Sequence, residues 1–221
     1  MSGGVAALRF ASQRRLLSAG DAGLRRWDPE TGQNEVLHPS PCGPMAASAD
    51  GRRIVAGCKA GGLGPSGGAG LPEFTGPPFK LLVIDTSTDE PRTIGTHGTD
   101  IVSLALNPSG ELLATGDSNG TVRVGRVDGS EPHLLVGAGG VVLSLAFSPD
   151  GRWIASTSGN DIRLWPMPDL SQPPLHTLPH DVLLAKLDRL TNVRVVEDPA
   201  APTGYKLDLA PFPGWKDVPT W

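Results

Sequence analysis

The chain has 221 residues, a formal net charge of −4 and a pI near 5.7, a balance that argues against a binder of nucleic acid or of an anionic membrane surface, since either wants a basic face. Glycine (29) and proline (22) are abundant, yet 38% of the residues are hydrophobic. Their short β-branched runs exclude a disordered chain and describe many short strands joined by turns.

The first unit, Phe10 to Trp27, reads FASQRRLLSAGDAGLRRW and ends in the pair Trp27-Asp28. Its strands are predicted around Leu24 to Trp27 and, more weakly, Glu35 to Leu37. The second unit carries the turn ASADG, ending at Gly51, with strands at Met45 to Ser48, Arg53 to Gly57, Leu81 to Ile84 and Thr93 to Gly95. The third has the turn NPSG at Gly110, flanked by Ile101 to Leu106 and Leu112 to Gly116, then Val122 to Gly125 and His133 to Val136. The fourth, SPDGRWIASTSGNDIRLW, is the clearest: Gly151 closes the turn between Val141 to Phe147 and Trp153 to Thr157, Ile162 to Trp165 follows, and Leu175 to Leu178 is the expected outer strand. Asp, Asn, Pro and Gly suit these tight hairpins because they favour the dihedrals involved.

Gly125 and Trp165 lie about 40 residues apart, Ile84 and Gly125 about 41, and Trp27 and Ile84 roughly 57, so the second unit holds an insertion in a repeat of four strands. The chain resembles the WD-repeat family over Val5 to Leu178. The resemblance implies a β-propeller of about four recognisable four-stranded blades, at 5–38, 39–97, 98–137 and 138–178, with a Gly/Pro-rich insertion at 58–78. The positions that carry it are Trp27, Asp28, Gly51, Gly110, Gly151 and Trp165. In the family, His, Ser/Thr, Asp and Trp form a hydrogen-bonded tetrad inside each blade. Here Trp165-Pro166, Ile84-Asp85 and Gly125-Arg126 stand where three Trp-Asp pairs would. The Gly-His pair is absent, with His38, His97 and His180 near its place. Plain hydrophobic packing is therefore expected to replace part of the tetrad, whose bonds are typically worth about 1 kcal/mol each.

An open set of four blades would leave a face of roughly 600 Å² bare, about 15 kcal/mol at ~25 cal/mol/Å². The expectation is a partial ring, completed by further blades of a longer chain or by self-association, ahead of a self-contained four-bladed ring. The segment 179–221 departs from the repeat and reads as a helix plus hairpin tail packing on the propeller. HDVLLAKLDRL places Leu183, Leu184, Leu187 and Leu190 on one helical face with Asp181 as N-cap, and Val193 to Val196 and Tyr205 to Leu209 alternate as strands. From LPHD through TNVRVVEDP and TGYKLDL to PFPGW, this tail resembles that of large bacterial WD-repeat proteins, some with a serine/threonine kinase domain.

Sites of chemistry are sparse. Gly62 to Gly67, GLGPSG, matches a dinucleotide-binding glycine pattern, and Ser66 a nucleophile elbow, but each needs a following helix where Pro72, Pro77 and Pro78 stand. His38, Cys42 and Cys58 lack a fourth ligand for structural zinc. If the hairpin centres on Asp50-Gly51, the two cysteines fall opposite one another, reduced if the chain is cytosolic. His180-Asp181 reads as a helix start rather than part of a triad. The doublets Arg14-Arg15, Arg25-Arg26 and Arg52-Arg53 read as solvated charge that discourages edge pairing. Trp215 is expected to anchor the tail, and Trp221 is a terminus or a contact.

No apolar run is long enough to cross a bilayer, and Met1 to Gly20 has no signal-peptide core, so a cytoplasmic location is expected. The functional expectation is a non-catalytic scaffold binding a protein or peptide, the sensor or docking propeller of a larger bacterial signalling protein, with no catalytic residue, cofactor or metal. The alternatives are a propeller-based hydrolase or lactonase-like enzyme, and a truncated remnant without independent function. The enzyme needs Asp, Glu, His or Asn converging on the axis, which the inner strands MAAS, IVSLAL and VVLSLAF hardly offer.

Overall fold

The computed structural model describes residues 4–11, 15–59, 79–88, 90–98, 100–137, 139–190 and 193–209. The insertion glycines, Ser66, Arg14, Trp215 and Trp221 lie outside these residues. The chain divides into two compact units, Met1–Met167 and Pro168–Trp221.

The first unit is a succession of antiparallel meanders. Strands β1 (Val5–Ala11), β2 (Arg15–Gly20), β3 (Gly23–Trp27) and β4 (Asn34–His38) form one sheet in chain order. Strands β5 (Cys42–Ala47), β6 (Arg53–Lys59), β7 (Phe79–Asp85) and β8 (Pro91–Ile94) form the next. The third contains β9 (Ile101–Leu106), β10 (Leu112–Asp117), β11 (Thr121–Arg126) and β12 (His133–Val136). The fourth holds three strands, β13 (Ser144–Phe147), β14 (Trp153–Ser158) and β15 (Asp161–Pro166). Strand β1 lies beside β5, β5 beside β9 and β9 beside β13, so the first strand of every sheet is its innermost. This is the all-β blade arrangement of a partial propeller.

Each middle sheet is buried on both faces, which is why its central strands are apolar without alternation, as in Ile54-Val55-Ala56. Three apolar clusters separate the sheets. Leu17, Ala19 and Leu24 of the first sheet pack on Met45, Ile54, Ala56 and Ile84 of the second. Val55, Leu81 and Val83 pack on Ile101, Leu104 and Leu113 of the third. Ala114, Val122 and Val124 pack on Ile154 and the partly buried Leu145, Phe147 and Trp165 of the fourth.

The expected outer strand at Leu175 to Leu178 does not form. Leu175–Thr177 is a single 3-10 turn, with Thr177 donating to the Pro174 carbonyl at 3.0 Å and Leu178 to that of Leu175 at 3.2 Å. Pro173 and Pro174 have no N–H to offer β15, so the segment closes on itself instead of extending. In the second unit, helix α1 spans His180–Leu190, and Asp181 sits inside its first turn rather than capping it. There its carboxylate still faces the positive end of the helix dipole. Strands β16 (Val193–Glu197) and β17 (Tyr205–Leu209) pair as an antiparallel hairpin, with Val195 opposite Leu207.

The hairpin turns explain the recurring phrase. Gly51, Gly110 and Gly151 have φ of 68°, 74° and 70°, and each donates its N–H at 2.9 Å to the residue three earlier, Ser48, Asn107 and Ser148. The Ser48 hydroxyl accepts from the Arg53 N–H at 2.9 Å and donates to Asp50 at 2.6 Å, and Ser148 does the same with Trp153 and Asp150. That serine bond is the main reason the Asp50 and Asp150 carboxyls are held below their usual range. Gly110 has a second duty. A Cβ there would lie 2.8 Å from the Ser48 Cβ and 3.1 Å from the Arg53 Cβ, whereas one at Gly151 would meet nothing within 4 Å. Gly151→Ala is therefore expected to cost about 1 kcal/mol of left-handed strain, and Gly110→Ala about 2 kcal/mol more from overpacking between sheets. Urea denaturation of the two variants checks the difference, and equal losses would contradict it.

Candidate functional site

The four inner strands border one groove of ≈ 560 Å³, lined by Val5 to Arg9 of β1, Pro44 and Met45 of β5, Val102 to Leu104 of β9, and Leu143 to Leu145 at β13. Among the described residues Arg9 is the only charged side chain in this lining, and its Nη1 donates to the Leu8 carbonyl at 2.8 Å. Ser103 is buried and donates to the Val142 carbonyl at 2.7 Å, tying the third sheet to the segment that enters the fourth. Aliphatic side chains line the groove, yet polar atoms make up more of its exposed wall than apolar ones, and with the one guanidinium this suits recognition of a polar extended segment or an acidic terminus. It supplies no paired acid and base at which a bond would be broken.

The repeat positions are built into the blades, away from the groove's lining. Trp27 donates through Nε1 to Ser18 Oγ at 2.7 Å, and Trp165 to Ser156 Oγ at 2.8 Å. Both bonds cross from the third strand of a sheet to the second, and Ser156 is almost fully buried. Asp28 accepts from the Glu30 and Thr31 amides at 2.9 and 3.3 Å, which lowers its pKa and fixes the turn after β3. In the second sheet the equivalent pair is Ala56 and Ile84, both buried in the apolar cluster. Here packing stands in for the hydrogen bond, as expected.

The third sheet departs from the sequence reading. His97 is fully buried, and its Nδ1 lies 3.0 Å from Thr115 Oγ1. It takes the histidine place of a tetrad although Thr96 precedes it instead of glycine. The sequence places it near the Gly-His position, and the structure sets it four residues ahead of β9. Gly125 occupies the tryptophan place, and a Cβ there would lie 3.0 Å from the Pro132 Cβ and 3.3 Å from His97 Nε2. His97 Nε2 has no hydrogen-bond partner among the described residues. Burial, and then the charge of Arg123, lower the His97 pKa from 6.5 to about 4, so the ring is neutral. Nearby, Arg123 pairs with the buried Asp117 at 2.6 Å. Burial pushes the Asp117 carboxyl up, but that pair and the Thr121 and Asn119 amides outweigh it and hold the pKa below the usual value.

Cys42 and Cys58 face each other across β5 and β6, with Cα atoms 4.0 Å apart, and are joined as a disulfide. Bonded to one another, their sulfurs are not thiolate ligands for a metal beside His38. Among the described residues no three His, Cys, Asp or Glu side chains gather as a metal site, and no helix is long and apolar enough to cross a membrane. Of the arginine doublets, Arg26 pairs with Glu35 at 2.7 Å and Arg53 with Asp85 at 3.3 Å.

The family model for the WD domain, G-beta repeat, matches residues 89–124 and 129–166. These two segments are WD repeats. Each WD-repeat match starts at the outer strand of one sheet and ends in the third strand of the next, β8 through β11 and then β12 through β15. No curated protein matches the chain. WD-repeat folds are of the protein-interaction scaffold kind and are generally non-catalytic.

Proposed function

We propose that this chain is a non-catalytic docking module that holds a protein or peptide segment against the groove between its inner strands. The observation that carries this reading is the lining itself, aliphatic side chains of β1, β5, β9 and β13 set in a largely polar wall, with Arg9 as the one charge among the described residues. A polar extended segment with an acidic group fits that chemistry, while nucleic acid does not fit the acidic balance of the whole chain. The test is selection of peptides from a random library on the intact chain, followed by titration against Arg9→Glu and Leu143→Asp. Enriched acidic peptides should bind at least tenfold more weakly to both variants. Binding that ignores both substitutions would refute the groove.

The narrower form of the proposal makes the chain the sensor or docking end of a bacterial signalling protein. Its support is the resemblance of the tail, from Leu178 onward, to the ends of large bacterial WD-repeat proteins. A cytoplasmic setting belongs to this form. Thiol trapping on the freshly extracted protein tests the setting, since free Cys42 and Cys58 mean a reducing compartment and an intact bridge an oxidising one.

A further inference from the structure

The repeat makes positions in the four sheets equivalent, and the outermost faces break the pattern of burial. On the face that each sheet turns to its successor, Leu24, Leu81 and Val122 are 0% exposed, but their equivalent in the last sheet, Ile162, is 76% exposed. Beside it Val83 and Val124 are buried, whereas Leu164 is 66% exposed. The opposite face shows the mirror case. Met45 and Leu104 are buried under the preceding sheet, while Leu8, in the same register on β1, is 53% exposed. Phe10 matches Phe147, which packs against the third sheet, yet Phe10 is 76% exposed.

The two bare faces are complementary in detail. The outward face of the first sheet repeats the inward face of the fourth: Leu8 and Phe10 for Leu145 and Phe147, Leu16 for Ile154, and the Ser18–Trp27 bond for Ser156–Trp165. The inward face of the fourth sheet already accepts Val122 and Val124. Ile162 and Leu164 hold those same two places on the outward face of the fourth sheet. One chain thus carries both a seat for a blade of this type and the blade that fits it.

We propose that a second copy of this chain covers these faces, with the last sheet of each copy docked on the first sheet of the other. Such a contact is heterologous, and two copies satisfy both faces of both chains in one closed two-fold ring. Eight blades lie within the range that propellers adopt. The four inner strands of one copy already border a common groove, so the sheets curve round a shared space as ring closure requires them to. Exposed apolar faces of this extent mark interaction surfaces rather than ordinary solvent-facing sheet.

Sedimentation velocity on the full chain tests this. The expected species has twice the 23.0 kDa chain mass. A monomer at tens of micromolar (roughly the range where weak contacts appear) overturns the proposal, and a ladder of larger species overturns ring closure. Phe10→Asp and, separately, Ile162→Asp or Leu164→Asp should each weaken dimerisation at least a hundredfold, with circular dichroism unchanged because these side chains are exposed. Val136→Asp, at a 73% exposed position on β12, should leave the mass as it is. Mixing the Phe10→Asp and Ile162→Asp chains should restore a two-chain species through the one intact junction. Failure of that mixture overturns the head-to-tail contact, since a head-to-head or tail-to-tail dimer would be spared by one of the two substitutions.

Discussion

Removing the Cys42–Cys58 bridge is expected to lower the stability of the first unit by about 3 kcal/mol, the amount by which a cross-link closing a loop of some 15 residues restricts the unfolded chain. The two cysteines are 16 residues apart and close the hairpin made by β5 and β6. Both are 3% exposed and belong to the apolar cluster between the first two sheets. The Cys42→Ala/Cys58→Ala chain should unfold at a lower urea midpoint than the oxidised wild type. The oxidised wild type should keep its midpoint until a reductant strong enough to reach a buried bond is added. Equal midpoints for the oxidised chain and the double variant would mean that the bridge restrains nothing.

Acidification supplies the second large effect. The folded pKa of His97 is about 4 against 6.5 for the exposed side chain. A histidine with a depressed folded pKa contributes stability that is complete above 6.5. As pH falls below 6.5 the unfolded chain binds a proton that the folded chain refuses, and the loss grows until the folded side chain also titrates near 4. The full difference is about 3 kcal/mol, since a tenfold change in proton affinity corresponds to ~1.4 kcal/mol. The aspartates held below 3.8, Asp117 among them, lose their contribution only at lower pH, so the two windows separate. Wild-type stability should decline between pH 6.5 and 4, and His97→Asn, lacking a titrating ring, should be flat across that interval. A parallel decline in both chains would place the acid sensitivity elsewhere.

Much of this architecture can be read from residues because the turn phrase is local. Ser48, Asp50 and Gly51 make their bonds within six positions of one another, so the hairpin is written where it forms. The helix at His180–Leu190 and the β16–β17 hairpin are legible for the same reason, and the cysteine pairing follows from the hairpin register. The missing fourth strand is not legible because four residues of mixed character, Leu175 to Leu178, say nothing of whether the prolines before them leave a pairing partner. His97 is legible as lying near the Gly-His place, but its bond is not, because that depends on Thr115 and Gly125, 18 and more positions away. That an open set of four blades leaves bare faces follows from the repeat count, but which residues lie on them does not. Ile162 and Leu164 look like Val122 and Val124, and only the neighbour's presence tells covered from uncovered.

The offset between repeat and sheet has a mechanical consequence. Each matched segment contributes its first strand, β8 or β12, to one sheet and its remaining three to the next. Pulling one repeat out of the protein therefore strips the rim of the blade before it as well as dismantling its own. Neighbouring blades are latched like the links of a folding rule, where none swings free until the adjoining one is loosened. Amide protons in β9, β10 and β11 should then exchange through openings that also release β8, rather than blade by blade.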